Sequence, residues 1–216
     1  PMLKDWQQRG ILLQEVYGMT EAGGVICMAQ KADLPEHMGY AGRALPYGEL
    51  KVMTSETQEA NSGELGEIWM RGASVTPGYW NRPDATEETF VGDWLKSGDI
   101  GRKDETGRLS VEDRIKDMYI SGGENVYPAE IESILMAHPD IREVAVIGVP
   151  DSKWGEVGCA VIASLSGEAV SLDSVHALCE RTLARFKWPQ QVIHTEMLPR
   201  NSTGKVQKFL LRQAHS

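Results

Sequence analysis

The sequence predicts an α+β protein in two parts. Three observations lead there: short strands punctuated by glycine and proline from about Gly39 to Arg114, a helix signature over Pro128–His138, and strands mixed with helices across the last hundred or so residues. In order, Ile11-Leu12-Leu13 reads as a buried strand, followed by the turn-rich stretch YGMTEAGG, Tyr17–Gly24. Glu49–Met53, Gly66–Arg71, Trp94–Lys96 and Arg108–Glu112 are short strands with turn-bounded spacing, which suggests a small, strongly bent sheet or barrel. Pro128 stands where a first helical turn tolerates proline, Ile131, Ile134, Leu135 and His138 recur at helical spacing, and Pro139 is the stop. Glu143–Val149 and Gly158–Ala163 read as buried strands, Val175–Phe186 as a second amphipathic helix and Val206–Arg212 as a short terminal one. The change in texture near Lys116 divides the chain into 1–115 and 116–216.

Composition narrows the function. Lys and Arg number 22 against 31 Asp and Glu, a formal charge of −9, which argues against a surface built to grip nucleic acid or an anionic membrane. The longest uncharged apolar stretch, Val144–Pro150, falls far short of the roughly 18 residues a membrane span needs, so no transmembrane segment is expected. Cys27, Cys159 and Cys179 are widely spaced and form no CxxC pair; this argues against a disulfide framework and for a reducing compartment, with the cytoplasm the expected location. His37, His138, His176, His194 and His215 show no metal-ligand spacing. Trp69, Met70 and Trp80 read as packing residues, and Glu87 and Glu88 as part of a solvated helical turn. Pro1–Trp6 carries no signal-peptide pattern, the chain does not open on methionine, and Ile11–Leu13 wants an upstream neighbour. A piece of a longer protein is the expectation.

Three segments combine glycine with charged side chains that have no packing reason: SGDIGRKDETG (Ser97–Gly107), EDRIKDMYISGGENVYPAEIE (Glu112–Glu132) and PRNSTGK (Pro199–Lys205). Singly, each has a plain reading, with Asp99 a turn residue, Arg114 a solvated cation and Lys205 a loop lysine. In this order, with YGMTE upstream, RGASVTPGYWNRPDATEETF over Arg71–Phe90 and DSKWGE over Asp151–Glu156, they resemble the adenylate-forming superfamily: acyl-CoA synthetases, coumarate-type ligases, firefly luciferase and peptide-synthetase adenylation domains.

The resemblance implies a barrel-like subdomain of a large AMP-binding domain over 1–115 and a small mobile C-terminal α+β domain over 116–216. It also implies ATP, Mg2+ and CoA as co-reactants of a carboxylic acid. Tyr17 would lie against the adenine, Thr20 would hydrogen-bond the α-phosphate and Glu21 would hold magnesium; the residue types suit a base face, a phosphate oxygen and a hard cation. Asp99 would accept from the ribose hydroxyls and Arg114 would add a cationic fork beside them. Lys205 would bridge the carboxylate and the α-phosphate as charge builds in the transition state, delivered by a flexible Ser202-Thr203-Gly204 loop. Lys116 stands at the family hinge, and Gly122, Gly123, Glu124 and Asn125, with Trp154 alongside, would border the CoA channel.

SGGENVYPAEIE and a lysine at the hinge position resemble acyl-CoA ligases more than carrier-loading adenylation domains. An acyl-CoA ligase for a fatty or aromatic acid is the first reading. An adenylating enzyme for a carrier protein is the second, and a noncatalytic binding fragment the third. The family's phosphate loop and most of its acyl pocket do not occur in these residues, so they are expected to be inactive alone.

Overall fold

The structure, a computed structural model, describes residues 2–34 and 36–215. The chain divides into two compact units, Pro1–Ile115 and Lys116–Ser216.

In the first unit, α1 (Met2–Gln8) precedes an antiparallel sheet of β1 (Val16–Met19), β2 (Gly24–Met28) and β3 (Arg43–Ala44). A second antiparallel sheet holds β4 (Gly48–Ser55), β5 (Gln58–Glu59), β6 (Gly66–Gly72), β7 (Phe90–Val91), β8 (Trp94–Lys103) and β9 (Leu109–Arg114). Its order is β5-β4-β6-β8-β7, with β9 also paired to β8, and α2 (Pro83–Thr89) leads into β7. Ala41 N donates to Leu109 O and Leu109 N to Gly42 O, stitching the small sheet to β9 so that the two wrap one core of Ile26, Cys27, Val52, Ile68, Met70, Leu95 and Leu109. Bulges between Glu67 and Trp69 and between Ile100 and Gly101 sharpen the twist that lets so short a set of strands curl in this barrel-like way.

The second unit contains β10 (Tyr119–Ser121), β11 (Glu124–Val126), α3 (Pro128–Leu135), β12 (Ile141–Asp151), β13 (Gly155–Ser164), α4 (Leu172–Cys179), β14 (Gln191–His194) and α5 (Lys208–His215). The sheet runs β11-β10-β13-β12, with β14 parallel to β13. Alternate residues of β12 and β13 face opposite ways, and both faces are covered. Val146, Ala160 and Ile162 pack with Ile131, Leu135, Val175 and Cys179 of α3 and α4, whereas Ala145, Ile147, Cys159 and Val161 pack with Leu198 and Leu211. This two-sided burial explains why these strands are continuously apolar rather than alternating.

The structure corrects several expectations. Ile11–Leu13 is irregular, not a strand, and Ile11 and Leu12 are exposed, because no strand among the described residues pairs with them. Trp80 does not pack; it is 88% exposed. The second helix starts earlier, where the Ser171 hydroxyl caps Ser174 N, and ends at Cys179. There Thr182 N and Leu183 N both turn back onto Cys179 O, and Arg185–Lys187 forms a separate 3₁₀ turn, so the apolar spacing that continues to Phe186 spans a break. α3 gives way after Leu135 to turns in which Ala137 N and His138 N donate three residues back, so His138 lies beyond the helix. α5 begins at Lys208 because Val206 is bridged to Arg200. Trp69 and Met70 are buried, Glu87 and Glu88 are exposed on α2, and all three cysteines are free and buried.

Candidate active-site residues

In the first unit the stretch Tyr17–Gly24 forms a tight β1–β2 hairpin. Gly18 is required there because a Cβ would sit 1.7 Å from Gly24 O. Its tip is a 3₁₀ turn, Thr20–Ala22, closed by Gly23 at φ 72 with its N–H on Thr20 O and anchored by fully buried Ala22. Thr20 is thereby exposed and Glu21 half-buried.

Tyr17 points its phenol across to β8, where Oη donates to Asp99 Oδ2 at 2.8 Å. Arg114, the cross-strand partner of Asp99, brings Nε to 3.5 Å from Asp99 Oδ1. Asp99 is held in place by its own neighbours: its N–H donates to Ser97 Oγ at 3.0 Å, and Gly98 N donates to Glu67 Oε1 at 3.1 Å. Burial, and then the Asp99 charge, push the Tyr17 phenol well above its usual value, so it stays a donor. Tyr17, Asp99 and Arg114, from three well-separated motifs, thus meet in one cluster. Sequence reasoning gave Tyr17 a ring role and missed this hydroxyl role.

Glu21 has a partner that sequence reasoning also missed. Tyr79 Oη donates to Glu21 Oε1 at 2.9 Å, and Thr76 N donates to Glu21 O at 2.7 Å. Burial first, then the Glu21 carboxylate, raise the Tyr79 phenol, which likewise remains protonated. The signal available was Thr76-Pro77-Gly78-Tyr79, within the Arg71–Phe90 segment that resembles the family.

In the second unit Gly122 and Gly123, at φ 61 and 87, form the two-residue turn between β10 and β11, the left-handed pair a tight hairpin demands. The Trp154 ring lies against Gly122, where a Cβ would meet Cε3 at 2.9 Å, and Gly122 N donates to Trp154 O at 2.9 Å. Asp151 Oδ1 accepts from Lys153 N and Trp154 N, both at 2.8 Å, which fixes the tryptophan's turn. Gly122, Gly123, Glu124 and Asn125 are exposed, and Trp154 is 48% exposed.

Lys205 stands exposed on a hairpin whose flanks meet at the Arg200–Val206 bridge. Asn201 Oδ1 accepts from Thr203 N, Thr203 Oγ1 and Lys205 N, and Arg200 Nη1 donates to Gly204 O at 2.6 Å. The polar groups of Asn201 and Arg200 shape the tip on which Lys205 stands exposed. Lys116 is exposed, but its carbonyl accepts from Arg212 Nη1 at 2.6 Å. Among the described residues no group of three or more His, Cys, Asp or Glu is placed to hold a metal ion.

Residues 1–80 match the AMP-binding enzyme family and residues 130–205 match the AMP-binding enzyme C-terminal domain, which defines the class as that of AMP-binding enzymes. The chain belongs to the adenylate-forming superfamily of AMP-binding enzymes. It is 41% identical over 215 residues to the long-chain-fatty-acid–CoA ligase FadD13 of Mycobacterium tuberculosis, covering 100% of this chain and 42% of that protein. It is 40% identical to the indoleacetate–CoA ligase of Aromatoleum aromaticum, over 98% of this chain and 42% of that one. The structure of o-succinylbenzoate CoA synthetase (MenE) from Bacillus subtilis with its acyl-adenylate intermediate OSB-AMP superposes with a TM-score of 0.91 at 38% identity, over 99% of this chain and 43% of that one. The chain thus spans about two fifths of the length of the relatives it matches.

Proposed function

We propose that the intact protein is an AMP-forming acid–CoA ligase. A carboxylate is a poor electrophile because its anion is resonance-stabilised. In the first step a carboxylate oxygen of the acid attacks the α-phosphorus of ATP and pyrophosphate leaves. In the second, the CoA thiol attacks the acyl carbon of the resulting mixed anhydride and AMP leaves with the bonding electrons. The observation that carries the reading is the Tyr17–Asp99–Arg114 cluster, in which motifs that resemble nucleotide-binding segments converge on one carboxylate.

In this reading Tyr17 lines the adenine, Asp99 takes the ribose hydroxyls with Arg114 beside it, and Thr20 donates to the α-phosphate. Lys205 stabilises the charge that develops as the carboxylate attacks. Gly122, Gly123, Glu124 and Trp154 border the pantetheine path of CoA, and Lys116 is the hinge residue. Pro1–Ile115 is the C-terminal part of the large AMP-binding domain and Lys116–Ser216 is the mobile C-terminal domain. Glu21 suits Mg2+, a cation bound as a rule by one or two carboxylates together with substrate phosphates. Tyr79 occupies one of its oxygens, and the second accepts no hydrogen bond among the described residues. Bound there, the cation would neutralise phosphate charge.

MenE of Bacillus subtilis has been solved with ATP and magnesium, at a TM-score of 0.89 and 36% identity over 100% of this chain and 43% of that one, which supports the same co-reactants here. The relatives' names span long-chain fatty and aromatic acids, and the acid we assign is one of these two kinds. Three buried free thiols support a reducing compartment, and the cytoplasm is our assignment. Among the described residues no helix is long and apolar enough to cross a membrane.

The test is an assay of the intact protein with candidate acids. Acid-dependent ATP–pyrophosphate exchange, followed by CoA consumption with no carrier protein present, is the expected result. Exchange with transfer only to a carrier protein would replace the ligase reading by a carrier-loading one. Residues 1–216 alone are expected to show no turnover.

A further inference from the structure

We propose that Tyr79 is a positioning residue for Glu21, setting the direction in which that carboxylate presents its second oxygen to a phosphate-bound divalent cation. The inference rests on the proposed role of Glu21 as the cation's protein ligand and adds to it the device that aims the ligand. Glu21 is gripped twice by one short segment: its backbone carbonyl accepts from Thr76 N at 2.7 Å and its Oε1 accepts from Tyr79 Oη at 2.9 Å. A carboxylate on a 3₁₀ turn, tied only through its main chain, would be free to rotate about its side-chain torsions. The phenol removes that freedom by occupying one oxygen, which leaves Oε2 as the free face.

The gripping segment is itself braced. Tyr79 N donates to Thr86 Oγ1 at 2.9 Å, and the same hydroxyl donates to Arg82 O at 2.9 Å at the entry to α2. Thr76 Oγ1 donates to Gly78 O at 2.9 Å, and a side chain at Gly78 would meet Thr86 Cγ2 at 2.7 Å, so Gly78 lets the loop lie flat on the helix start. The phenol is therefore placed by a rigid base, and the preorganisation of a ligand by such an outer hydrogen bond is what keeps a metal site's affinity high. Its loss is expected to weaken metal-dependent nucleotide binding about 10- to 100-fold.

The experiment uses the intact protein and Mn2+ as the probe, with bound Mn2+ read by electron paramagnetic resonance in the presence of ATP, and ATP binding measured separately in EDTA. Tyr79→Phe keeps the ring and deletes only the donor, and Glu21→Gln tests the ligand itself. Support for the inference is a weakening of Mn2+·ATP binding by both variants with ATP binding in EDTA unchanged, together with a raised KM for metal–ATP and a smaller change in kcat for Tyr79→Phe. If Glu21→Gln weakens Mn2+·ATP binding and Tyr79→Phe does not, the positioning role is overturned while the ligand role of Glu21 stands. Equal loss of binding with and without metal in Tyr79→Phe would reduce Tyr79 to a structural residue and also overturn it. If neither variant alters Mn2+·ATP binding, the ligand role fails and takes the inference with it.

Discussion

Arg212, on the last helix, holds the backbone at the start of the second unit: its guanidinium donates to Lys116 O at 2.6 Å and to Asp117 O at 2.7 Å, across 96 and 95 residues of sequence. Two consecutive carbonyls on one planar fork make a bidentate grip, and Asp117 Oδ1 adds a longer contact at 3.8 Å. The segment sequence reasoning assigned as a hinge is thus latched by a side chain from the far end of the chain.

Releasing that latch should loosen Lys116–Asp117 locally. For Arg212→Leu, trypsin is expected to cut after Lys116 about tenfold faster or more, since hydrogen bonds involving a charged group are each worth about 1.5–3 kcal/mol. The rate is read by mass spectrometry of the timed digest. An unchanged rate at Lys116 would show that the grip does not restrain this segment.

Gly18→Ala should be among the most damaging single-methyl changes in the first unit, because the added carbon would overlap Gly24 O at 1.7 Å and force the hairpin apart. The expected loss is about 3 kcal/mol or more, seen as a lower denaturant midpoint, with nucleotide affinity falling in step because Tyr17 and Glu21 ride on the same hairpin.

Alkaline pH should destabilise the protein through its thiols. Burial pushes Cys27 up to about 12 and Cys159 and Cys179 up to about 11, against about 8.5 in an unfolded chain. The folded state therefore holds these protons longer, so the stabilisation is complete below about pH 8.5 and is lost as pH rises toward 11 and 12. Unfolding free energy should fall by up to about 1.4 kcal/mol per pH unit per thiol over that window. Guanidinium unfolding from about pH 8 to about pH 10 checks the slope, and Cys159→Ala should flatten it.

Lys205→Ala in the intact protein should lower acyl-AMP formation on the order of 100- to 1000-fold and leave conversion of supplied acyl-AMP to thioester largely intact. Separate single-turnover measurements of the two half-reactions decide this, and equal loss in both would count against the proposed role.

The strand pattern and the α3 signature were legible because each follows from local periodicity and turn residues. The helix ends were less so: the apolar spacing of Val175–Phe186 continues through the turn at Cys179 O, and spacing alone does not reveal where the backbone breaks. Ile11, Leu12 and Trp80 show the converse, apolar residues whose types suggest burial but which stand exposed among the described residues. Motif likeness singled out Tyr17, Glu21, Asp99, Arg114 and Lys205, of which Tyr17, Asp99 and Arg114 meet in one cluster. The residues that aim or restrain them stayed hidden. Tyr79 meets Glu21 over 58 residues and Arg212 meets Lys116 over 96, and nothing in a linear pattern specifies such pairings before the chain folds.

One edge of β13 is shared between partners of opposite direction: β10 touches it antiparallel at Gly155, and β14 runs parallel beside Cys159–Ile162. A parallel neighbour cannot arrive through a tight turn, so that half of the edge is sealed only after the passage through α4 is complete. During synthesis, or after a nick between residues 165 and 190, the most apolar strand of this unit would offer unpaired amides and carbonyls along a sticky flank. Newly made or clipped molecules should then stack edge to edge, making the α4 connection a guard against aggregation as much as a link in the fold.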